Sequence, residues 1–479
     1  MIRDLKPYPA YKDSGVPWLG KVPANWEVRR IKTLFREMDE RNGDGGGPLL
    51  SLTRARGIVP QAEASNRIAS VEDLSNYKVC KSGDLIMNRM QAWSGMFAVS
   101  GIDGVISPDY SVFQPKAAID VHYFEALFKT PVLVDEFAKR SKGIGSGFNR
   151  LYTPDFGAVP IASPPLNEQT AIVRFLDYMD RRIRHYILTR QKLIKLLEEY
   201  KQALIHQAVT GKIDFRTGQP YPAYKGSGVP WLGQVPEHWD VRRIKTIARI
   251  RYGLGQPPKD MDGGIPMLRA TNINRGTICE KDLLHVDPSD VPSNRGAFLH
   301  AGEIIVVRSG AFTADSAIVP EAYDGAVAGY DMVVTALKIS PRFLAAVLLT
   351  PYVRDDQLTV ASMRSAQPHL NAEELGAALV ALPPLPEQSA IVEHLDAQTT
   401  KIDAAIAAAR REIELLREYR TRLIADVVTG KVDVREVAAQ LPEEPPEEEA
   451  ELMDTEEIAE GETTDEESGA EALSEEIEP

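Results

Sequence analysis

The chain has 479 residues, 43% of them hydrophobic, with 55 Lys plus Arg against 69 Asp plus Glu. That length exceeds one ordinary domain and calls for two or three, each burying its own core. No apolar run is long enough to cross a bilayer, the start "MIRDLKPYPA" lacks a signal-peptide core, and Cys80 and Cys279 have neither metal-ligand nor disulfide-framework spacing, so a reducing cytoplasm is the expected location.

The net charge of −14 is unevenly placed. Leu441–Pro479 carries 18 acids and no Lys or Arg, which leaves 51 acids against 55 bases, about +4, on residues 1–440. A mildly basic body permits nucleic-acid binding without demonstrating it. The tail is rich in Glu and has no aromatic residue, so it is expected to stay disordered. It reads first as a solubility device; a sharper reading makes it a DNA mimic that competes for the basic surface.

Taken in chain order, the first feature is "YPAYKDSGVPWLGKVPANWEVRRIKT", Tyr8–Thr33, which returns as Tyr221–Thr246 with 21 of 26 positions identical. The self-similarity continues. "SGDLIMNR" (Ser82–Arg89) answers "AGEIIVVR" (Ala301–Arg308), and "SPPLNEQTAIVRFLD" (Ser163–Asp177) answers "LPPLPEQSAIVEHLD" (Leu382–Asp396). "VTGKIDFR" (Val209–Arg216) answers "VTGKVDVR" (Val428–Arg435), at the same offset of 219. The chain is thus two divergent copies of one unit of about 215 residues, with an internal pseudo-dyad, followed by the tail.

Each copy has a variable first part and a regular second part. In the first part, the two "SGD/AGE" stretches read as a turn and a buried strand, followed by a helix broken at Pro and a second helix. Gly-rich stretches such as "KGIGSGFNR" and "RYGLGQPPKDMDGG" read as exposed loops that carry recognition. In the second part, Ile172, Leu176, Met179, Ile183, Tyr186, Arg190, Leu193, Leu197, Tyr200 and Leu204 recur at alternating spacings of four and three, a heptad stripe with one polar member, Arg190. Ile391, Leu395, Ile402, Leu416 and Leu423 repeat it more weakly, with Ile406 and Ile413 widening the face. Each helix follows a Pro-Pro stop and ends at Gly211 or Gly430. Two long helices packed antiparallel on each other are expected.

No catalytic constellation emerges. "VTGK" lacks the leading Gly and the trailing Ser or Thr of a phosphate loop, and its Gly is better used as a helix cap. The eight histidines lack zinc spacing, so no metal site is expected. "SPDY" (Ser107–Tyr110) is only faintly similar to the tetrapeptide of amino-methyltransferases, and "EYK" (Glu199–Lys201) lacks the acidic partner of a nuclease; both read as structural.

What remains is a binding signature. Arg54, Arg56, Asn88, Arg89, Trp93, Lys142, Asn149 and Arg150 fall in or beside predicted loops of the first copy. Arg251, Arg269, Asn272, Arg308, Arg364 and Gln367 do so in the second. Arg reads guanine with two hydrogen bonds, Asn or Gln reads adenine, and Lys or Arg on phosphates fixes register. For any one of them a structural salt bridge is the blander account; Arg89 and Arg308 stand out because both follow the same turn–strand element.

The order of opener, variable region, "PPL-x-EQ" and long helix, given twice, resembles the specificity subunit of type I restriction-modification enzymes. The resemblance covers residues 1 to about 436. It implies a mixed α+β chain: a first target recognition domain over 1–165, a spacer helix over 166–213, a second recognition domain over 214–384, a second helix over 385–436, and the disordered acidic tail over 437–479. It further implies double-stranded DNA as ligand, read as a bipartite asymmetric site, with the helices as antiparallel coiled-coil spacer. Two methyltransferase subunits that bind S-adenosylmethionine would dock here, with restriction subunits that use ATP and Mg2+; the specificity subunit would hold no cofactor and catalyse nothing. The doubled openers, with Trp18 and Trp231, would be joints offering equivalent faces to the two methyltransferase copies. A stand-alone duplicated DNA-binding protein, a scaffold that binds no DNA, and a subunit of a modification-only system are the competing readings.

Overall fold

The structure is a computed structural model that describes residues 5–43, 46–64, 73–143, 149–255, 258–292, 296–363 and 368–442. Arg364, Gln367 and the tail from residue 443 lie outside the described residues. Two compact units divide the chain: unit one is Met1–Arg190 with Arg411–Pro479, and unit two is Gln191–Arg410. Both are mixed α+β.

The centre of unit one is a four-stranded antiparallel sheet in the order Phe35–Met38, Tyr110–Pro115, Leu85–Asn88, Phe97–Val99. Unit two repeats it with Ala248–Tyr252, Met332–Ala336, Ile304–Val306 and Ser316–Ile318. The register is shared: Ile86 lies opposite Val112, and Ile305 opposite Val333. The strands Leu85–Asn88 and Ile304–Val306 are buried at every position and, Asn88 apart, apolar on both faces, as strands covered on both sides require. Gly83 and Gly302, at φ +90° and +85°, turn the chain into it.

Against the sheet of unit one pack Val121–Phe128, capped by the Asp120 side chain, and Pro131–Arg140; Pro131 begins the second helix where it needs no N–H. Unit two has Pro341–Leu348 and Pro351–Val353, the latter running into a π-helical turn at Arg354–Thr359. The cores differ in kind. Unit one clusters phenylalanine rings, with Phe156 centred 5.6 Å from Phe97 and 5.1 Å from Phe113. Unit two fills the same frame mainly with aliphatic side chains, among them Ile304, Val306, Val334 and Leu348.

The long helices span Leu166–Val209 and Leu385–Val428. Each ends in a glycine with left-handed backbone, Gly211 at φ +70° and Gly430 at +76°. The following amide reaches five residues back, from Lys212 to Gln207 and from Lys431 to Asp426, closing a Schellman cap. "VTGK" is a helix stop.

The doubled opener and "PPL-x-EQ" meet at the helix starts. In unit one, Glu168 lies buried in the first turn of its helix. One carboxylate oxygen accepts from Tyr8 Oη at 2.6 Å and Trp26 Nε1 at 2.7 Å; the other accepts from Asn25 Nδ2 at 2.8 Å. Burial first, and donation to Glu168 second, push the Tyr8 phenol above its ordinary range, so it stays a donor. Gln169 accepts from the Asp120 amide and donates to the Pro164 carbonyl, both at 2.8 Å, pinning the helix to its neighbour. The same opener also grips the end of the other helix: Tyr11 Oη donates to the carbonyls of Gly430 and Lys431, and Arg435 lies 5.2 Å over the Tyr8 ring. In unit two, Glu387 takes Tyr221 Oη at 2.5 Å and pairs with His238 Nε2 at 2.8 Å, while Tyr224 Oη donates to Gly211 and Lys212. There Trp239 Nε1 is buried with no partner among the described residues, unlike its counterpart Trp26.

Within each unit the two helix segments run antiparallel. In unit one Asp180 pairs with Arg420 and Arg190 with Glu412; in unit two Glu198 pairs with Arg410 and Lys201 with Asp403. Lys201 of "EYK" is thus an interhelical ion pair. Ile172, Leu176, Met179 and Ile183 are buried, as are Ile391, Leu395, Ile402, Ile406, Ile413, Leu416 and Leu423. The first stripe does not hold its heptad register, however. Leu193 faces outward, 37% exposed, and Leu197 and Leu204 are only half-buried, whereas Ile205 is buried. A strict 3.5-residue repeat drifts about 20° per heptad around a helix of 3.6 residues per turn, and over four heptads the seam moves to the next column.

Glu168→Ala strands two buried donors, Tyr8 and Trp26, and is expected to destabilise unit one by about 3 kcal/mol. Glu387→Ala strands one and should cost unit two less. Hydrogen exchange at the two openers, compared across both variants, checks this; equal protection in all three proteins contradicts it.

Candidate DNA interface

Five of the first copy's candidates gather around one turn in unit one. After the strand Leu85–Asn88 the chain turns through Arg89–Ser94, and Gly95 at φ +84° returns it to the sheet. Asn88 shapes the turn: Oδ1 accepts from the Met90 amide and Nδ2 donates to Gln91. Trp93 stands on the turn, 39% exposed, its Nε1 tied to the Met90 carbonyl. Arg54, in the hairpin between Leu50–Thr53 and Gly57–Pro60, donates to Ser94 Oγ at 3.1 Å. Arg150 donates to Met90 Sδ and, at 3.1 Å, to Asp109. Lys142 lies opposite Arg150 in a two-residue ladder and pairs with Asp155; exposed Asn149 is beside it. Arg56 is apart, donating to the Glu63 carbonyl.

Arg89 is mostly spent internally. Its Nε and Nη2 donate to the carbonyls of Asp109 and Pro108 at 2.7 Å, so "SPDY" serves as a bracket for this arginine.

In unit two the equivalent turn follows Ile304–Val306. Ala314 takes the place of Gly95 and keeps the positive φ, +71°, a conformation that costs a non-glycine residue strain. Phe312 stands where Trp93 does, and is exposed. Arg308 is placed between two aromatic rings: its Cζ lies 4.6 Å from the centroid of Tyr252 and 4.3 Å from that of Tyr330. Its Nη2 donates to His369 Nε2 at 2.8 Å. Beneath it Asp331, 2% exposed, accepts from the Arg308 amide, and burial pushes its carboxyl up to about 6.

Of the other second-copy candidates within the described residues, Arg251 and Asn272 are bound into the fold. Arg251 spends all five donors internally, on Glu303 twice, on Thr335, and on the carbonyls of Gly296 and Phe298, which leaves none for a base. Asn272 is wholly buried and braces its own loop through Cys279, Lys281 and the Arg269 amide; Arg269 donates to the Asp282 carbonyl. Tyr252, Phe312, Tyr330 and His369 were not among the sequence candidates. The signal available for the first three was an aromatic residue at each strand end of one turn, in "RYGLG", "GAFT" and "AGYD".

The family model of the type I restriction modification DNA specificity domain matches the chain twice, over residues 23–197 and 236–415. The chain belongs to this family. Among specificity subunits it is similar to the MjaVIII type I restriction enzyme specificity subunit of Methanocaldococcus jannaschii, 23% identical over 87% of this chain and 95% of that one. It is also similar to the EcoDI specificity subunit of Escherichia coli, 22% identical over 86% and 90%. A chain solved in work on complex assembly and conformational transition of the type I R-M system shares the fold, at TM-score 0.62 and 16% identity, over 85% of this chain and 98% of that one. Both units are therefore specificity domains, and the two turns occupy the same place in each. No helix of the described residues is long and apolar enough to cross a membrane.

The Asp331 carboxyl titrates near 6 in the folded chain and near 3.8 by default, so its ionisation opposes folding: stability present at pH 4 is lost as pH rises through 6. Asp331→Asn, which keeps the acceptor for the Arg308 amide, should raise unit two's stability at pH 8 by about 3 kcal/mol and by little at pH 4. Urea unfolding at both values checks this.

Proposed function

We propose that this chain is the specificity subunit of a type I restriction-modification complex, in which each unit reads one half of a bipartite, asymmetric site on double-stranded DNA. The observation that carries this reading is one frame built twice with two different turns on it. The openers, helix starts and helix stops are built on the same plan, a buried glutamate held by a tyrosine and a glycine stop gripped by another, while the exposed turn is polar and arginine-rich in unit one and aromatic in unit two. Shared frame and divergent turns are what two dyad-related readers of unlike half-sites require.

On this reading the base-contacting candidates of unit one are Arg54, Trp93, Lys142, Asn149 and Arg150, and those of unit two centre on Arg308. Arg56 and Arg269 are candidates for phosphate contacts. The long helices set the gap between half-sites. Two adenine methyltransferase subunits, carrying S-adenosylmethionine, dock on equivalent faces near the openers, where Trp231 is exposed and Trp18 half-buried. Restriction subunits supply the ATP- and Mg2+-dependent steps. This chain contributes recognition and assembly, in the cytoplasm, and leaves the chemistry to its partners.

Single-molecule methylome mapping in a host that carries this chain and its methyltransferase partner should return one motif with two unlike halves and a fixed gap. Matched four-residue insertions in both long helices add about 6 Å of helix, or one to two base-pair steps. The gap should lengthen by that amount while both halves stay the same; altered halves with an unaltered gap contradict the assignment of reader and spacer.

A further inference from the structure

We propose that Arg308 reads a guanine in the half-site bound by unit two, with Tyr252 and Tyr330 holding its guanidinium as a fixed plate. This rests on the DNA-recognition reading and adds to it one residue, one base and the device that presents the one to the other.

Three observations separate Arg308 from an ordinary surface arginine. The first is the cage. Ring centroids lie 4.6 and 4.3 Å from its Cζ, and both rings are themselves exposed, Tyr252 by 41% and Tyr330 by 47%. An apolar core could have swallowed these tyrosines; the fold instead leaves them standing at the surface around a cation. The second is how firmly the cage is built. The Arg308 amide donates to buried Asp331, and its carbonyl accepts from the Leu370 amide at 2.7 Å. The Tyr252 hydroxyl accepts from the Ala372 amide at 2.9 Å. Backbone and one ring are thus pinned from separate segments of the chain.

The third is which edge of the guanidinium remains. Nε is buried without a partner among the described residues. Nη2 gives one hydrogen to His369 Nε2, and Nη1 has no hydrogen bond among the described residues. The donors left without a partner among the described residues are those of Nη1 and the second hydrogen of Nη2, and this end-on pair is the fork that matches O6 and N7 of guanine in the major groove. A phosphate contact needs only charge, which a lysine on a flexible stem supplies. Fixing the plane and the edge serves a planar, two-point partner, because the ordering cost is met before DNA arrives.

Unit one does not repeat the device. Arg89, at the equivalent position, spends Nε and Nη2 on carbonyls of its own chain and has no ring pair around it among the described residues. The guanine reader is thus a property of unit two alone, and its loss should touch one half-site only.

The test is methylome mapping of the chain with its methyltransferase partner, repeated for Arg308→Lys and Tyr330→Leu, with duplex binding measured at two salt concentrations. Arg308→Lys keeps the charge and removes the fork. It should relax a single guanine position in one half, leave the other half unchanged, and lower discrimination at that position by about tenfold or more. Tyr330→Leu keeps the arginine and frees it, and should relax the same position less. It also guards against a folding defect in the lysine variant, since it alters an exposed ring. If Arg308→Lys leaves a bipartite motif unchanged, or Arg308→Ala weakens binding to all duplexes alike with a shallower salt dependence, Arg308 is a phosphate contact and this proposal falls while the recognition reading stands. If the unaltered chain directs no bipartite methylation, both fall.

Discussion

A carboxylate buried in the first turn of each long helix ties three distant pieces of sequence into one unit. Burying a charge is costly, and the arrangement has to offset that cost locally. Glu168 does so with three side-chain donors and a position where the helix presents unsatisfied amides and partial positive charge. Glu387 manages with fewer, using His238 in place of Asn25 and leaving Trp239 Nε1 unpartnered. The near-identity of the two openers follows from this. Tyr8, Tyr11, Pro23 and Trp26 each touch either the buried glutamate or the glycine that stops the other helix. A Cβ at Gly430 would stand 2.6 Å from Pro23, and one at Gly211 2.4 Å from Pro236. A change at any of these positions disturbs a joint, whereas a change at a turn disturbs only what the turn displays.

The same clasp gives the two units different closure costs. In unit two, Tyr224 reaches the helix stop at Gly211 across 13 residues. In unit one, Tyr11 reaches the equivalent Gly430 across 419. For a bare chain the longer closure costs about 3 kcal/mol more in entropy, by the logarithmic dependence on loop length. That is comparable to the hydrogen bonds gained at one clasp, so unit one's clasp has little net drive until the intervening segments have folded and shortened the effective loop. Unit two, contiguous from Gln191 to Arg410, carries no such dependence on the chain's far end.

The frame was legible in the sequence because its signals are local and doubled: Gly turns, Pro-Pro stops, a buried strand after "SGD" or "AGE", and a repeat that keeps one order throughout. The heptad stripe was legible over Ile172–Ile183 and misread at Leu193, where pattern alone does not say whether a helix supercoils enough to keep a 3.5-residue seam. The binding residues were harder. Loop arginines look alike in sequence, and only side-chain geometry separates Arg251, with five internal bonds, from Arg308, with an open fork. The side chains around Arg308 come from three other segments, near 252, 330 and 369, and nothing in the spacing brings them together. Asn272 failed for the opposite reason: an amide suited to reading adenine is equally suited to bracing a loop, and burial decides between the two.

Two readers on one frame need not diverge everywhere to differ in what they bind. The change from a phenylalanine core to an aliphatic one replaces Phe97 with Ser316 at the same register, opposite Met87 and Val306, and the sheet survives it. The turn above that pair is more exacting. Gly95 and Ala314 both hold a positive φ, and a residue with a side chain holds it only where its surroundings enforce it. In unit two the Ala314 amide donates to the carbonyl of Val307, the residue before Arg308. Strain at Ala314 and order at Arg308 thus belong to one rigid element, set at the end of a strand that is buried on both faces. A reader placed there inherits the stiffness of the sheet, which a free loop cannot provide, and its specificity can be altered at the tip without loosening the base.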